Sequence, residues 1–208
     1  MITKTLKMVF NKKKRTSQQD PVSQEKQSIR KQMIRRLGEQ TLEERKKKSS
    51  SIREQLFSSG EFKAAATVMA YVSLPQEVDT VEIIQEALKQ GKRVGVPYII
   101  PGEGKMIASE IKKNCRLERG PLGIEQPGSS HVKAIPLEEI DLVIVPALAY
   151  DKKNMRLGRG KGFYDTFLRE ERKRSLGTIG LAFSFQVVNI LPRSVHDIPV
   201  DRVITESL

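Results

Sequence analysis

The chain has 208 residues, of which 38% are hydrophobic and 30% are charged. This composition is typical of a globular protein and excludes a disordered or fibrous one. The longest apolar stretches span about seven residues, far fewer than the roughly 20 that a transmembrane helix needs, so the sequence excludes a membrane-spanning protein. The single cysteine, Cys115, excludes an intrachain disulfide framework and a cysteine-rich zinc site.

The formal net charge of +12 is concentrated in the first quarter of the chain. Residues 1–55 contain 16 Lys and Arg against 6 Asp and Glu, whereas residues 56–208 contain 21 against 19. A basic segment of this kind can bind phosphates, RNA or anionic lipid. The alternative interpretation is a solvated helix face that keeps the protein soluble, and the charge pattern alone leaves both open.

Residues 1–21 are predicted to be a basic, disordered extension, followed by one domain over residues 22–208. The extension mixes Lys with apolar residues, and its first acidic residue is Asp20. It has no continuous apolar core and no small-residue cleavage site, which excludes a secretory signal. We therefore expect a cytoplasmic protein, while the shortage of acidic residues leaves an organellar targeting peptide open.

Two helices are predicted after the extension. The first covers residues 23–40, and its apolar face is formed by four residues with helical spacing: Ile29, Met33, Ile34 and Leu37. Thr41 and Glu44 have the spacing of a capping box, which opens a second helix that runs to about Phe57. Ser58-Ser59-Gly60 is predicted to end it.

The rest of the chain alternates between strand and helix patterns. Strands are predicted at residues 65–72, 94–97, 106–111, 141–146, 178–183 and 202–205. One helix is capped by Asp79 or Thr80 and ended by Gly91, and another covers residues 162–173. Residues 119–127 are rich in Gly and Pro and are predicted to form a loop. The alternation predicts an α/β fold: a single three-layer domain with a mostly parallel central sheet flanked by helices, and an N-terminal helical segment.

The most informative motif follows the best strand prediction, residues 141–146. It reads Arg-Leu-Gly-Arg-Gly-Lys-Gly-Phe-Tyr-Asp over residues 156–165. In open α/β sheets, ligands bind at the carboxyl ends of strands, and this segment lies between such an end and a helix. Its glycines expose backbone N–H groups, while Arg159 and Lys161 supply positive charge. The pattern predicts an anion-binding loop, in which Asp165 either compensates the helix dipole or binds magnesium beside phosphates.

This loop is neither of the two common phosphate-binding motifs. Its spacing and the missing Lys-Ser/Thr ending exclude a Walker A loop, and its third glycine comes one residue too early for the dinucleotide-binding pattern. A flexible surface turn is the alternative interpretation. By composition alone, the ligand of the loop stays unspecified.

The motif at residues 156–165 closely resembles the signature of the 5-formyltetrahydrofolate cyclo-ligase family, also called methenyltetrahydrofolate synthetases. Other segments are similar to that family in the same order along the chain. They are Lys26-x-x-x-Arg30, Tyr-Val-Ser-Leu-Pro-Gln-Glu-Val-Asp-Thr at 71–80, Gly-Pro-Leu-Gly-Ile-Glu-Gln-Pro at 120–127, and Ile-Asp-Leu-Val-Ile-Val-Pro at 140–146. The resemblance covers about residues 23–205.

The resemblance implies that ATP and magnesium are used to convert 5-formyltetrahydrofolate to 5,10-methenyltetrahydrofolate, with ADP and phosphate as products. Transfer of the γ-phosphoryl group to the formyl oxygen would give an iminium phosphate, which N10 of the folate attacks. This chemistry needs positioning and charge neutralisation rather than a protein nucleophile, and the sequence has no convincing Ser-His-Asp or Cys-His arrangement. We expect a monomer that binds reduced folate and ATP, with neither a specific nucleic acid nor a membrane as a partner.

The resemblance also assigns site residues by position. The catalytic residues would be Arg159 and Lys161. ATP would be bound by Lys26, Arg30, Arg156, Leu157, Gly158, Arg159, Gly160, Lys161, Gly162, Phe163 and Tyr164. The reduced folate would be bound by Val72, Glu77, Phe163 and Tyr164. Magnesium would be held by Asp165 and Asp197, with Asp201 as a competing alignment for the second position. Phe163 departs from the Tyr that is common in the signature, so a hydroxyl contact is lost there.

Two other functions stay open from the sequence. An RNA- or anion-binding protein would use the basic first quarter, but the chain lacks interleaved aromatic residues and a recognised RNA module. A sugar-phosphate isomerase would need a general base in the glycine loop, which offers only cations. ATP consumption that depends on a reduced folate would separate the cyclo-ligase from both.

Overall fold

The computed structural model describes residues 20–171 and 176–207. The predicted extension therefore lies almost entirely outside the described residues, and so does the predicted end of the last helix at Lys173. Within the described ranges, no helix is long and apolar enough to cross a lipid bilayer.

Two helices begin the described part, as the sequence predicts. Helix α1 covers Pro21–Glu39 and starts two residues earlier than predicted, because proline is well tolerated in the first turn, where its missing N–H has no helical partner. Helix α2 covers Leu42–Ser58 and begins with the predicted capping box. The N–H of Glu44 donates to Thr41 Oγ1 at 3.2 Å, and the N–H of Thr41 donates to the Glu44 carboxylate at 2.9 Å.

The prediction that Ile34 belongs to the buried face of α1 is wrong. Met33 and Leu37 are each 2% exposed, whereas Ile34 is 50% exposed. Because Ile34 is rotated by about 100° from Met33 around the helix axis, it leaves the buried stripe. A short helix that the sequence did not predict, α3 at Gly60–Ala64, follows α2 and buries Phe62.

A six-stranded sheet lies at the centre of the described part of the chain. The strands in the described ranges are β1 (Thr67–Ala70), β2 (Arg93–Ile99), β3 (Met106–Ile111), β4 (Leu117–Arg119), β5 (Glu125–Pro127), β6 (Leu142–Val145), β7 (Ala149–Asp151), β8 (Arg156–Leu157), β9 (Gly177–Leu181), β10 (Val187–Val188) and β11 (Arg202–Ile204). The remaining α-helices in these ranges are α4 (Val81–Lys89) and α5 (Phe163–Glu171). The large sheet has the order β11-β9-β6-β1-β2-β3, and all its neighbours are parallel except β3, which runs antiparallel to β2.

The sheet is covered on both faces, which gives the predicted three layers. Successive residues of β6 point to opposite faces, as in any strand. Leu142 and Ile144 belong to the cluster that holds the buried residues of α1 to α4, whereas Val143 and Val145 belong to the cluster of α5. All four residues are at most 1% exposed, so β6 is buried on both faces, as its continuous apolar run predicts.

The carboxyl end of β1 leads into a well-bonded turn before α4. The Thr80 hydroxyl donates to the carbonyl of Tyr71 at 2.6 Å and does not cap the helix. Asp79 Oδ1 instead accepts from the N–H of Val81 at 2.9 Å, so Asp79 is the side chain that satisfies the helix start. Gly91, with a φ of +76°, follows α4 as predicted.

The prediction of a loop over residues 119–127 is wrong, because β4 and β5 pair there as an antiparallel hairpin. The connecting turn places Leu122 and Gly123 in the left-handed region, at φ values of 62° and 74°. A Cβ atom at Gly120 would lie 2.5 Å from the side chain of Gln126, so glycine is required where the two strands close. Gln126 Oε1 accepts from the N–H of Ile99 at 3.1 Å, which fixes the hairpin to β2.

A second small sheet, in the order β10-β7-β8, was also missed by the sequence prediction. Strand β7 runs antiparallel to β8 and parallel to β10. The glycine motif therefore does not follow β6 directly. Its first two residues, Arg156 and Leu157, belong to β8, and the loop proper begins at Gly158.

We predict that Gly180→Ala destabilises the protein. A Cβ atom at Gly180 would lie about 2.5 Å from the ring of Tyr150, which is fully buried and whose hydroxyl donates to the carbonyl of Val145 at 2.6 Å. Because the ring cannot move without losing that bond, the free energy of unfolding should fall by about 1–3 kcal/mol, as for other overpacked cores. Urea denaturation measures it.

The matched control is Gly38→Ala in α1, where an added Cβ meets no atom within 4 Å. Alanine is the better helix former by about 0.5–1 kcal/mol, so this substitution should raise the free energy of unfolding. Equal effects of the two substitutions would contradict the packing argument.

Candidate active site

A cleft lies at the carboxyl edge of the large sheet. Val72 follows β1 and Pro146 follows β6, so the parallel strands deliver their connecting segments to the same place. The cleft is lined by every site residue that the sequence analysis proposed: Lys26, Arg30, Val72, Glu77, Arg156, Leu157, Gly158, Arg159, Gly160, Lys161, Gly162, Phe163, Tyr164, Asp165 and Asp197. Their individual roles stay predictions.

The glycine loop is shaped by two left-handed residues and by contact with α1. Gly160 and Gly162 have φ values of +92° and +74°, which other residues adopt only with strain. A Cβ atom at Gly160 would approach the guanidinium of Arg30 to 3.4 Å. Arg30 also donates through Nε to the carbonyl of Gly158 at 2.9 Å, so α1 holds the loop directly.

Three ion pairs cross or border the cleft. Lys26 Nζ lies 2.5 Å from Asp197 Oδ2. The Arg159 guanidinium donates twice to Glu77 Oε1, at 2.8 and 3.2 Å. The third pair joins Arg156 to Asp165 at 2.7 Å. In all three pairs, the cation was predicted to bind ATP, whereas the carboxylate was predicted to bind magnesium or the folate.

The turn that follows β1 presents Glu77 to the cleft. Its Oε2 accepts from the N–H of Leu74 at 3.0 Å, which leaves Oε1 to face Arg159. The Glu77 side chain is 12% exposed and the Arg159 side chain 41% exposed, so the arginine is the partner with room to move. Glu77 does not cap α4, since Asp79 does.

Two buried polar atoms of the cleft residues have no hydrogen-bond partner among the described residues. They are Arg156 Nε and Tyr164 Oη. The Arg156 guanidinium carbon lies 5.8 Å from the centre of the Tyr164 ring. Burial raises the pKa of Tyr164, so its hydroxyl stays protonated and can donate a hydrogen bond. A buried donor without a partner is costly, and both atoms suit a polar ligand in the cleft.

Of the two aspartates that competed for the second metal position, only Asp197 lines the cleft. Burial alone would raise the pKa of Asp197, but hydrogen bonds from Lys26 and from the N–H of Ser194 outweigh it and hold the pKa below its usual value. The carboxylate of Asp201 instead accepts from the N–H and hydroxyl of Thr178, at 2.8 and 2.7 Å.

Asp165 and Asp197 are close neighbours in the fold, since the N–H of Ile198 contacts Asp165 Oδ1 at 3.4 Å. Within residues 20–171 and 176–207, no three His, Cys, Asp or Glu side chains form a complete metal site. Two carboxylates beside the glycine loop nevertheless suit Mg²⁺, which takes few protein oxygens and completes its shell with water and, where present, phosphate.

The apolar half of the cleft was largely missed by the sequence analysis. It is built from residues of the β1 and β6 ends, β2, β3 and the β4–β5 hairpin: Tyr71, Leu74, Pro97, Ile99, Met106, Leu122, Ile124, Pro146 and Ala147. Ordinary core residues and these lining residues look alike in sequence, so no local signal separates them. The family resemblance named Val72 as a folate-binding residue, and its segments at 71–80, 120–127 and 140–146 contain several of these lining residues without a residue-level prediction for them.

Comparisons with known proteins agree with the sequence resemblance. The model of the 5-formyltetrahydrofolate cyclo-ligase family matches residues 22–206. A mouse protein named 5-formyltetrahydrofolate cyclo-ligase is 30% identical over 193 residues, covering 89% of this chain and 95% of the mouse protein. A protein of the same name from Escherichia coli (strain K12) is 33% identical over 144 residues, covering 69% of this chain and 79% of that protein.

Solved structures show the same similarity. The structure of Aquifex aeolicus 5,10-methenyltetrahydrofolate synthetase superposes with a TM-score of 0.76 and 32% sequence identity, covering 88% of this chain and 90% of that one. A 5,10-methenyltetrahydrofolate synthetase from Mycoplasma pneumoniae has a TM-score of 0.71 at 23% identity, covering 88% of this chain and 99% of that one, and supports the fold alone.

We predict opposite effects for two tyrosine substitutions, measured by urea denaturation without added ligand. Tyr164→Phe removes a buried hydroxyl without a protein partner, so the free energy of unfolding should stay unchanged or rise by about 1 kcal/mol. Tyr150→Phe removes the hydrogen bond to the Val145 carbonyl and should lower it by about 1 kcal/mol. An equal loss in both variants would mean that the Tyr164 hydroxyl has a partner in the protein.

Proposed function

The chain belongs to the 5-formyltetrahydrofolate cyclo-ligase family, and from that membership we propose that its cleft converts 5-formyltetrahydrofolate to 5,10-methenyltetrahydrofolate with hydrolysis of ATP to ADP and phosphate. The observation that carries the proposal is the division of one cleft into two halves. One half has the glycine loop and the cations of α1, and the other has apolar walls and Glu77.

The cationic half suits a triphosphate. Lys26 and Arg30 lie one helical turn apart on α1 and both line the cleft beside the glycine loop, which Arg30 contacts. Arg156, Arg159 and the exposed Lys161 add further positive charge. Phosphate oxygens would draw Lys26, Arg156 and Arg159 away from the carboxylates with which they pair in this structure.

The apolar half suits the flat pterin ring of a folate. A glutamate that faces a largely apolar wall can accept hydrogen bonds from the ring N–H groups of a pterin. Glu77 would do so through Oε1 once Arg159 turns toward the phosphates, while Leu74 keeps holding Oε2. Phe163, in place of a tyrosine, can stack on the ligand but offers no hydroxyl.

The reaction then needs two bond exchanges. The formyl oxygen attacks the γ-phosphorus and ADP leaves, which turns a poor leaving group into a phosphate ester of an iminium. N10 attacks the formyl carbon and loses its proton, and the carbon–oxygen bond breaks as inorganic phosphate departs. Arg159 and Lys161 would neutralise the negative charge on the transferring phosphoryl group, which is the main task of the protein in such a transfer.

Magnesium fits the proposed site through Asp165 and Asp197, and when bound it would neutralise phosphate charge. Arg156 and Lys26 pair with these two carboxylates in this structure. Phosphates that take over Lys26 and Arg156 would leave both carboxylates available to the cation.

The test of the proposed function is a direct assay. The purified protein is mixed with 5-formyltetrahydrofolate, ATP and magnesium in a neutral to mildly acidic buffer, and the methenyl chromophore is followed in the near-ultraviolet. Product should appear only when ATP and a divalent metal are both present. Equal turnover without nucleotide would exclude the phosphoryl-transfer mechanism.

Lys161→Ala should slow turnover strongly. A cation that contacts a transferring phosphoryl group is worth most as charge develops, so kcat/KM for ATP should fall about 100- to 1000-fold. Lys89→Ala, at the exposed end of α4, is the matched control and should behave as the unmodified protein. Wild-type kinetics for Lys161→Ala would remove this residue from the proposed machinery.

Glu77→Gln should act on the other substrate. The glutamine amide has one acceptor oxygen and an NH₂ group with two donors, whereas the N–H groups of the pterin need an anionic acceptor. The KM for 5-formyltetrahydrofolate should therefore rise about 10-fold. The KM for ATP should stay the same or fall, because the substitution weakens the pairing of Arg159 with residue 77 and leaves Arg159 freer to bind phosphate.

The control for Glu77→Gln is Glu139→Gln, since Glu139 also pairs with an arginine, Arg93, but outside the cleft. Steady-state kinetics with each substrate varied in turn separates the two KM values. A raised KM for ATP with an unchanged KM for the folate would assign Glu77 to the nucleotide instead.

A further inference from the structure

A buried carboxylate outside the cleft takes no part in the chemistry proposed above. Asp151, the last residue of β7, has a side chain with 0% exposure. Its Oδ1 accepts from the N–H groups of Lys153 and Met155, at 2.8 and 3.1 Å. Its Oδ2 accepts from the N–H of Leu191 at 3.2 Å and from the guanidinium of Arg193 at 3.1 Å.

A buried carboxylate is costly unless its oxygens are fully bonded, and here four donors compensate it. Burial alone would raise the pKa of Asp151, but these hydrogen bonds outweigh it and hold the pKa below its usual value. The group is therefore ionised in the protein and binds two separate chain segments at once. An apolar residue of the same volume would bind neither.

Both segments lead to residues that line the cleft. Oδ1 closes the turn between β7 and β8, and β8 begins with Arg156, whose guanidinium contacts Asp165 at 2.7 Å. Oδ2 holds the chain at Arg193, four residues before Asp197, which contacts Lys26 at 2.5 Å. The segments meet again where the N–H of Val200 donates to the carbonyl of Asn154 at 3.0 Å.

We propose that Asp151 is a positioning residue for the nucleotide half of the cleft. It holds the start of the glycine loop and the segment that carries Asp197 at the spacing that a triphosphate and its cation require. This inference rests on the proposed function, because it assigns Asp151 to the binding of ATP. It adds a residue that touches no substrate and that the sequence motif does not contain.

Asp151→Asn tests the proposal selectively. The amide oxygen can still accept from Lys153 and Met155, so the turn is kept. The amide NH₂ would face the N–H of Leu191 and the Arg193 guanidinium, both of which are donors, so the link to the second segment is lost. Displacements of about 1 Å in a reacting site cost up to about 100-fold, so the dissociation constant and KM for MgATP should rise roughly 10- to 100-fold.

The binding of ATP is measured by titration calorimetry, with and without magnesium and without folate, so that one readout does not depend on turnover. The KM for 5-formyltetrahydrofolate should stay within about twofold of the unmodified value, because the apolar half is not attached to Asp151. A merely structural role would lower the melting temperature and leave both affinities unchanged in the folded protein.

Asp141→Asn is the matched control. Asp141 also accepts two backbone N–H groups, those of Ala66 and Thr67, but at the amino edge of the sheet, away from the cleft. This variant should keep unmodified affinities. If Asp151→Asn fails to fold, Arg193→Gln removes only one donor from a half-exposed side chain and should raise the dissociation constant of MgATP in the same direction by a smaller factor.

The outcomes separate the two claims. An unmodified protein that binds no ATP overturns the proposed function and this inference together. An active protein whose folded Asp151→Asn or Arg193→Gln variant binds MgATP normally overturns the inference alone. A rise in the folate KM equal to that for MgATP also overturns it, since the effect would then be general.

Discussion

Ion pairs between distant parts of the chain set the shape of the cleft. Lys26 on α1 pairs with Asp197 near the end of the described chain, and Arg159 of the glycine loop pairs with Glu77 after β1. The carboxylates of both pairs are at most 16% exposed, so removal of either partner would leave an uncompensated charge in a poorly solvated place. The two ion pairs therefore help to fix the distance between the parts of the cleft wall that they join.

The same charges are the ones that the proposed ligands would use. Each cation that pairs with a carboxylate also lies where a phosphate would bind, and each carboxylate lies where a metal ion or a pterin would bind. Under the proposed function, the ion pairs satisfy these charges internally while the cleft holds no ligand, and binding would exchange partners instead of burying unpaired charges. Glu77 and Arg159 would then have to separate before either contacts a ligand, so a substrate that parts them would lower the cost for the other.

The fold could be predicted largely from local patterns. Continuous or alternating apolar runs identify β6, β9 and the four longer helices, and parallel strands must deliver their connections to one edge. The missed strands β7, β8 and β10 have two or three residues each and the missed helix α3 has five, which is too short for a periodicity to appear. The β4–β5 hairpin was missed because its glycines and prolines are typical of a loop. The bond from Ile99 of β2 to Gln126, which fixes the hairpin, is visible only in the folded structure.

The candidate site divides in the same way. The glycine motif and Asp165 could be identified from the residues themselves, because these residue types are unusual at those spacings, whereas Glu77 and Asp197 were assigned only through the family resemblance. Their partners could not be identified, since the pairing of Lys26 with Asp197 depends on the path of the whole chain between them. Asp151 carries no local signal at all, and only the fold shows that its two oxygens bind segments about forty residues apart.

The basic first quarter of the chain finds internal partners within the described residues. Arg36 lies 4.7 Å from the centre of the Phe185 ring, and Lys48 lies 5.6 Å from the same ring. Lys26 and Arg30 face the cleft. Arg36 and Lys48 therefore use their charge in packing against an aromatic ring of the same chain.

The two ends of the described chain are in contact, and this affects how the protein can fold during its synthesis. Helix α1 supplies Lys26 to Asp197, and α2 donates through Gln55 to the carbonyl of Thr205 at 2.8 Å, so the first helices pack against the last segments. A nascent chain on the ribosome lacks these contacts until Asp197 and Thr205 have emerged. The glycine loop is translated before the segment that carries Asp197. Helix α1 can form its contact with Asp197 only after most of the described chain has been translated. Long-range closure of this kind slows folding, and a chain truncated before Asp197 would carry the motif without a working cleft.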